Sequence, residues 1–159
     1  MELTIIIFLL GGLFLGWSLG ANDAANVFGT AVGTRMIQFK TAAIVCSIFV
    51  ILGAIISGSG TTETLGKLGS INALPGAFAA CIAAGLSVYI MTKSGLPVST
   101  TQAIVGAIIG WNLYTGSSTN IQVLITILGT WVLCPIIAGL LSMLFFVITK
   151  NFLQKAKLH

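Results

Sequence analysis

The chain has 159 residues, 57% hydrophobic and 6% charged, with a formal net charge of +4 and a mean hydropathy of +1.09. Soluble domains carry about 25% charged residues, so a water-facing surface is excluded and an all-α integral membrane protein is expected. The few basic residues are scattered among apolar runs, which argues against nucleic acid and for interfacial anchors and topology signals.

The first segment, about residues 3–19, is apolar throughout, and Gly12, Gly16 and Gly20 form a stripe suited to close helix contact. The start Met1-Glu2 lacks the basic region of a signal peptide, so no cleavage is expected. A polar stretch, Gly20-Ala21-Asn22-Asp23-Ala24-Ala25-Asn26, then interrupts the pattern. We expect the helix to break there and a second piece to run over about 23–37, with Arg35, Gln38 and Lys40 at a water interface.

An uncharged run over about 41–57 should cross the membrane, and Gly58 to Lys67 has the composition of an external loop. Pro75 suits the first turn of a helix ending near Thr92 and Lys93. Pro97 and Ser99 announce another start, and a helix from Thr100 of about eleven residues reaches only ~16 Å, about half of a hydrocarbon core. That predicts a re-entrant half-helix, followed by an interfacial loop at 111–120 with Trp111 and Tyr114 at headgroup level. The last span, about 121–149, contains Pro135, where a tilt or kink is expected. The whole chain reads as one transmembrane domain, 1–159, of about four to five spanning helices with a basic tail at 150–159. His159 reads as a solvated tail residue, and Cys46, Cys81 and Cys134 as buried free thiols without ligand spacing.

Two stretches place polar side chains at membrane depth. Asp23, Asn26 and Thr30 share one helical face. Ser99, Thr100 and Thr101 surround a helix start, whose free N–H groups and positive dipole end suit an anion. Capping alone, by Ser99 or by Asn22 or Asp23, is the plainer reading of each break. It explains both together poorly, because irregular backbone at that depth survives only inside protein or along a cavity. Broken helices with polar ends are how secondary transporters build midplane sites. An anion beside Asp23 is repelled unless a cation or proton accompanies it. Asn22, Asp23 and Asn26 offer hard oxygen ligands to a small cation, so the residues suggest symport. No nucleophile–base pair, metal triad or Gly-Lys phosphate loop suggests an enzyme.

The stretch GANDAANVFGTAVGT at 20–34 resembles the signature of the inorganic phosphate transporter (PiT) family, GLPVSTTQAIVG at 95–106 its second signature, and Trp131 to Pro135 a third recurrent phrase. The resemblance implies a cell-membrane symporter of inorganic phosphate coupled to sodium or protons. It also implies two inverted repeats, each with one copy of both motifs. By it Asn22, Asp23 and Asn26 bind the coupling ion, sodium, and phosphate, while Ser99, Thr100, Thr101 and Gln102 belong to the phosphate site. The family's usual His after Ser-Thr-Thr is here Gln102. That removes a titratable group, favours sodium, and leaves sulfate or arsenate open as substrates.

Each motif occurs once, so the chain resembles a single repeat. We expect a half-transporter completed by a second copy of itself, inserted antiparallel, or by a homologous half; a non-transporting partner subunit is the other reading. With a re-entrant 95–110, Arg35, Lys40 and Lys93 face Lys67, Lys150, Lys155 and Lys157 across the membrane, a weak bias compatible with dual insertion.

Overall fold

A backbone in lipid must satisfy its own hydrogen bonds, which leaves an apolar chain of this kind helices and short protected joints. The computed structural model describes residues 2–69, 71 and 74–155. Helices α1 (Glu2–Gly33), α2 (Phe39–Leu68), α3 (Leu74–Lys93), α4 (Thr100–Thr115) and α5 (Ile121–Lys155) account for most of them. Four of these, α1, α2, α3 and α5, are long and apolar enough to cross a membrane. Helix α4, with 16 residues, reaches about 24 Å, short of a ~30 Å hydrocarbon core. The chain is a multi-pass integral membrane protein.

The expected break in the first helix is absent: α1 runs unbroken for 32 residues through the polar stretch. Three alanines keep helix propensity high there, and the polar side chains find partners without opening the backbone. Asn26 Nδ2 donates to Asn22 Oδ1 one turn back at 2.9 Å, and Asn22 and Asp23 bond to other helices. The external loop expected at 58–67 is likewise helix, since α2 continues to Leu68. Thr62 and Thr64 donate to the carbonyls of Gly58 and Gly60 four residues back, and Glu63 pairs with Lys67 at the same spacing. Both are contacts that only a helix provides. Helix α1 ends with Arg35 in the left-handed region (φ 59°).

The tightest packing is between α1 and α3, which run parallel, since contacts advance together along both from Phe8–Phe78 to Asn22–Thr92. Phe8 meets Phe78 edge-on at 5.6 Å, Ser18 Oγ donates to the Gly85 carbonyl at 3.2 Å, and Trp17 lies 5.7 Å from Tyr89. Glycine makes this approach possible at two levels. A Cβ on Gly11 would stand 2.8 Å from the Phe78 ring, and one on Gly85 2.7 Å from Phe14. The stripe Gly12, Gly16 and Gly20, expected to seat a helix, has nothing within 4 Å. It points away from α3, so the stripe is open where neighbouring Gly11 is closed.

Helices α3 and α4 form an antiparallel hairpin. At its base Trp111 lies against Gly76, and Gly69 lies against Ile108 and Asn112. The Asn120 N–H donates to the Leu68 carbonyl at 3.0 Å, so 116–120 sit at the Leu68 end of α2. At its tip, residues 94–99 leave α3 and re-enter helix at Thr100, beside Asp23. Three details of the expected hairpin change. The helix from Thr100 continues to Thr115 rather than stopping near 110, and Trp111 and Tyr114 are helical. Lys93 stands at the tip, level with Asn22, and not with Arg35 and Lys40 beyond the end of α1.

Helix α5 is a unit by itself. It is 35 residues long with Pro135 inside it, so Lys150 and Lys155 are helical rather than part of a loose tail, while Lys157 and His159 lie outside the described residues. The cysteines are free; Cys46 and Cys81 are half-buried, but Cys134 is exposed, not buried as expected.

Candidate functional site

The site is built where the polar stretch of α1 meets the tip of the α3–α4 hairpin. Successive residues on a helix point about 100° apart, so Asn22 and Asp23 address different neighbours. Asn22, only 4% exposed, donates from Nδ2 to Thr92 Oγ1 at the end of α3, at 3.2 Å. Asp23 turns to the hairpin's second arm, where Thr100 Oγ1 donates to its Oδ1 at 3.2 Å. At 1.5 Å per residue Asp23 lies about 15 Å from the C-terminal end of α1, well inside the apolar helix.

The second arm begins as its sequence suggested. Ser99 is the N-cap of α4 in extended conformation, and its Oγ accepts from the Gln102 N–H at 3.3 Å. The N–H groups of Thr100 and Thr101 precede any acceptor within the helix and face outward with the positive end of its dipole. Thr100 is 5% exposed, while Thr101 and Gln102 are exposed. The hairpin tip therefore divides its polar groups. Thr100 spends its hydroxyl hydrogen on Asp23, whereas among the described residues the Ser99 hydroxyl hydrogen and the Thr101 and Gln102 side chains meet no partner.

On the α1 side, Asn26 spends its amide on Asn22, which leaves its own Oδ1 and the second oxygen of Asp23 as uncommitted acceptors. Among the described residues no group of three or more His, Cys, Asp or Glu could hold a metal ion. A cation here is met by one carboxylate and by amide and hydroxyl oxygens, the donor set of a weakly held hard ion. The structure thus brings together Asn22, Asp23, Asn26, Ser99, Thr100, Thr101 and Gln102 around one helix-to-hairpin junction. Thr30, expected on the same face, is exposed.

Two contributors were not singled out from the sequence. Thr92 anchors Asn22; a hydroxyl one residue before the lysine that ends an apolar helix is its only mark. Ser18, 1% exposed, lies one turn before Asn22 and ties α1 to α3 just below the site. The i, i+4 spacing of Ser18, Asn22 and Asn26 is the signal that puts them on one face. Lys93 adds a positive charge at the tip, with its ammonium 5.8 Å over the Tyr89 ring.

Beside this junction α1 and α2 diverge and enclose a cleft of about 770 Å³. Gly16, Gly20, Gly29 and Gly33 form its α1 wall, Ala42 and Cys46 stand on the α2 wall, and Asp23 reaches its lining. The open glycine face therefore borders space that leads to the carboxylate.

Residues 19–159 match the phosphate transporter family. The chain belongs to that family. It is 37% identical over 94% of its length to a candidate phosphate permease of Pyrococcus furiosus, of which it covers 39%. It is 36% identical to one of Haemophilus influenzae, covering 36% of that protein, and 31% identical to an inorganic phosphate transporter of Arabidopsis thaliana, covering 27%. A solved structure described as the sodium-dependent phosphate transporter superposes with a TM-score of 0.80 at 35% identity. That alignment takes in 91% of this chain and 38% of the other. The chain thus spans about two fifths or less of these relatives, so it corresponds to one half of such a protein, as the single copy of each motif suggested.

Proposed function

We propose that this chain is one half of a symporter that moves inorganic phosphate together with sodium. The observation that carries the reading is the contact between Asp23 and Thr100. It sets the half-buried carboxylate of α1 against the first turn of α4, where N–H groups and hydroxyls suit an oxyanion. Phosphate bound by Ser99, Thr101 and Gln102 at that turn stands close to a negative charge. At low effective dielectric the repulsion is large, and a sodium ion between Asp23, Asn26 and the phosphate converts it into attraction. Anion and cation therefore bind well only together, which is what coupling requires. Sodium is preferred to a proton because position 102 carries Gln where the family's motif usually has His, and a structural relative is sodium-dependent by its description.

The cleft beside the site takes its walls from two helices of the unit 1–120. The cleft along Gly16, Gly20, Gly29 and Gly33 is lined by α1 and α2 only, and small residues of this kind admit a helix at close range in lipid. We assign that place to the second half, a second copy of the chain in the opposite orientation or a homologous half.

The test is uptake of radioactive phosphate by the purified chain in proteoliposomes, with and without a sodium gradient and with sulfate and arsenate as competitors. Sodium-dependent uptake inhibited by arsenate and not by sulfate supports the reading. Inhibition by sulfate alone moves the substrate to another oxyanion. No uptake by the chain alone, restored by a homologous half, makes it a subunit that cannot transport unaided.

A further inference from the structure

The junction contains a chain of hydrogen bonds with a direction. Asn26 Nδ2 donates to Asn22 Oδ1, and Asn22 Nδ2 donates to Thr92 Oγ1. Each group gives its hydrogen toward α3, so the two ends differ in kind. Asn26 keeps a carbonyl oxygen with no hydrogen to meet, an acceptor suited to a cation. Thr92 Oγ1 accepts that hydrogen bond and donates to no partner among the described residues, so its own hydroxyl hydrogen is available to a ligand. Being an acceptor also polarises that hydroxyl and makes it a better donor.

The place of Thr92 matters as much as its chemistry. It closes the last turn of α3, immediately before Lys93, and the extended residues that follow lead directly to the cap of α4 at Ser99. Asn22 and Asp23, adjacent on α1, bring Thr92 and Thr100 to the same level from the two arms of the hairpin. Thr92 is only half-buried, so its hydroxyl is not sealed in the α1–α3 interface. The geometry points to Thr92 as a further phosphate-contacting residue, a donor from α3 that complements Ser99 and Thr101 on α4, with Asn22 holding it in place. The inference rests on the phosphate-symport reading above and adds to it a contact from the first arm of the hairpin. It also links the two ligands, because a cation that fixes the Asn26 carbonyl fixes the direction of the chain and so the donor at Thr92.

The experiment compares Thr92→Val, which keeps the shape and loses the hydroxyl, with Thr92→Ser, which keeps the hydroxyl. Phosphate uptake is measured in proteoliposomes at saturating sodium, normalised to monodisperse protein. Loss of a hydrogen bond to a charged ligand predicts a rise in the phosphate KM of about tenfold or more for Thr92→Val, with kcat within about twofold. Thr92→Ser should stay within about twofold of the native protein in both. A sodium titration at each phosphate concentration should also show weaker mutual enhancement of the two ligands in Thr92→Val.

An unchanged phosphate KM in Thr92→Val overturns the assignment, as does an equal defect in Thr92→Ser, which marks packing rather than donation. The first result is what a reversed chain would give, with Thr92 spending its hydrogen on Asn22. If Thr92→Val does not accumulate as monodisperse protein, Thr92→Ala is read in the same way. Native protein without any phosphate uptake removes the transport reading and this assignment together. Active native protein with an unaffected Thr92→Val removes the assignment alone.

Discussion

Thr100 on α4 gives its hydroxyl hydrogen to Oδ1 of Asp23 on α1 across 3.2 Å, joining positions 77 residues apart in the chain. The bond makes Thr100 a holder of the carboxylate, while Ser99 and Thr101 on either side remain open to a ligand. Of the three hydroxyls of one motif, one thus holds the carboxylate and two are left for the proposed anion site.

Removing either partner should affect the cation before the anion. Asp23→Asn loses the only charge in the proposed cation site, and sodium-dependent uptake should fall by about 100-fold, consistent with ~3 kcal/mol for a charged contact. Thr100→Val leaves the carboxylate in place but unheld, and the sodium concentration for half-maximal uptake should rise by about tenfold. Retention of full sodium dependence in Asp23→Asn would show that the carboxylate is not a cation ligand.

Position 102 offers a test of ion preference. Gln102→His restores a titratable group at the first turn of α4, with an ordinary value near 6.5. Below about that pH the imidazolium adds a positive charge beside the anion site. The ratio of Gln102→His to native phosphate affinity should therefore increase as pH falls from 8 to 6. Taking the ratio removes the titration of phosphate itself. A ratio flat across that range would place Gln102 away from the anion.

Gly11 and Gly12 are neighbours with opposite surroundings. A methyl group on Gly11 would stand 2.8 Å from the Phe78 ring and 3.2 Å from the Phe78 carbonyl oxygen, whereas one on Gly12 meets nothing. Gly11→Ala should cost about 1–3 kcal/mol through overpacking of α1 on α3. Gly12→Ala should be neutral or stabilising by up to ~1 kcal/mol, from helix propensity. Thermal unfolding of the two purified variants in detergent separates these outcomes.

The orientation of the chain depends on where its tail emerges. Arg35 and Lys40 stand at one end of α1 and α2, Lys67 at the other, and Lys93 belongs to the hairpin tip. If Lys150, Lys155 and Lys157 emerge beside Lys67, the balance is four against two; beside Arg35 and Lys40 it is five against one. Labelling of single cysteines at Glu2 and His159 in a cysteine-free background should show both orientations for a homodimer of opposed copies. One orientation for every copy would assign the second half to a different chain or segment.

The helical class, the hairpin start at Ser99 and the candidate site stretches could be read because each has a local cause; the roles of the candidate residues remain a proposal. Pro75 and Ser99 mark helix beginnings by backbone geometry and capping, and a carboxylate among apolar residues is conspicuous wherever it folds. The continuity of α1 was not legible, since Asn22 and Asp23 look like helix breakers until Thr92 and Thr100 are brought to them from 70 and 77 residues away. The same holds for α2. Gly58-Ser59-Gly60 reads as a turn, and only the back-bonding of Thr62 and Thr64, with the Glu63–Lys67 pair, shows a helix holding. The glycine stripe Gly12, Gly16 and Gly20 was read as a close-contact surface, but a Cβ at each would meet nothing within 4 Å; the close contacts fall at Gly11 and Gly85 instead.

The cleft beside Asp23 has a consequence for the life of the molecule in a cell. If a second half fills the cleft, as proposed above, a copy without it leaves the carboxylate in the cleft lining without that cover. An ionisable group facing hydrocarbon costs at least about 2.5–3.5 kcal/mol on insertion scales, enough to disfavour such a state by roughly a hundredfold. On that proposal pairing would become a condition of persistence in the bilayer.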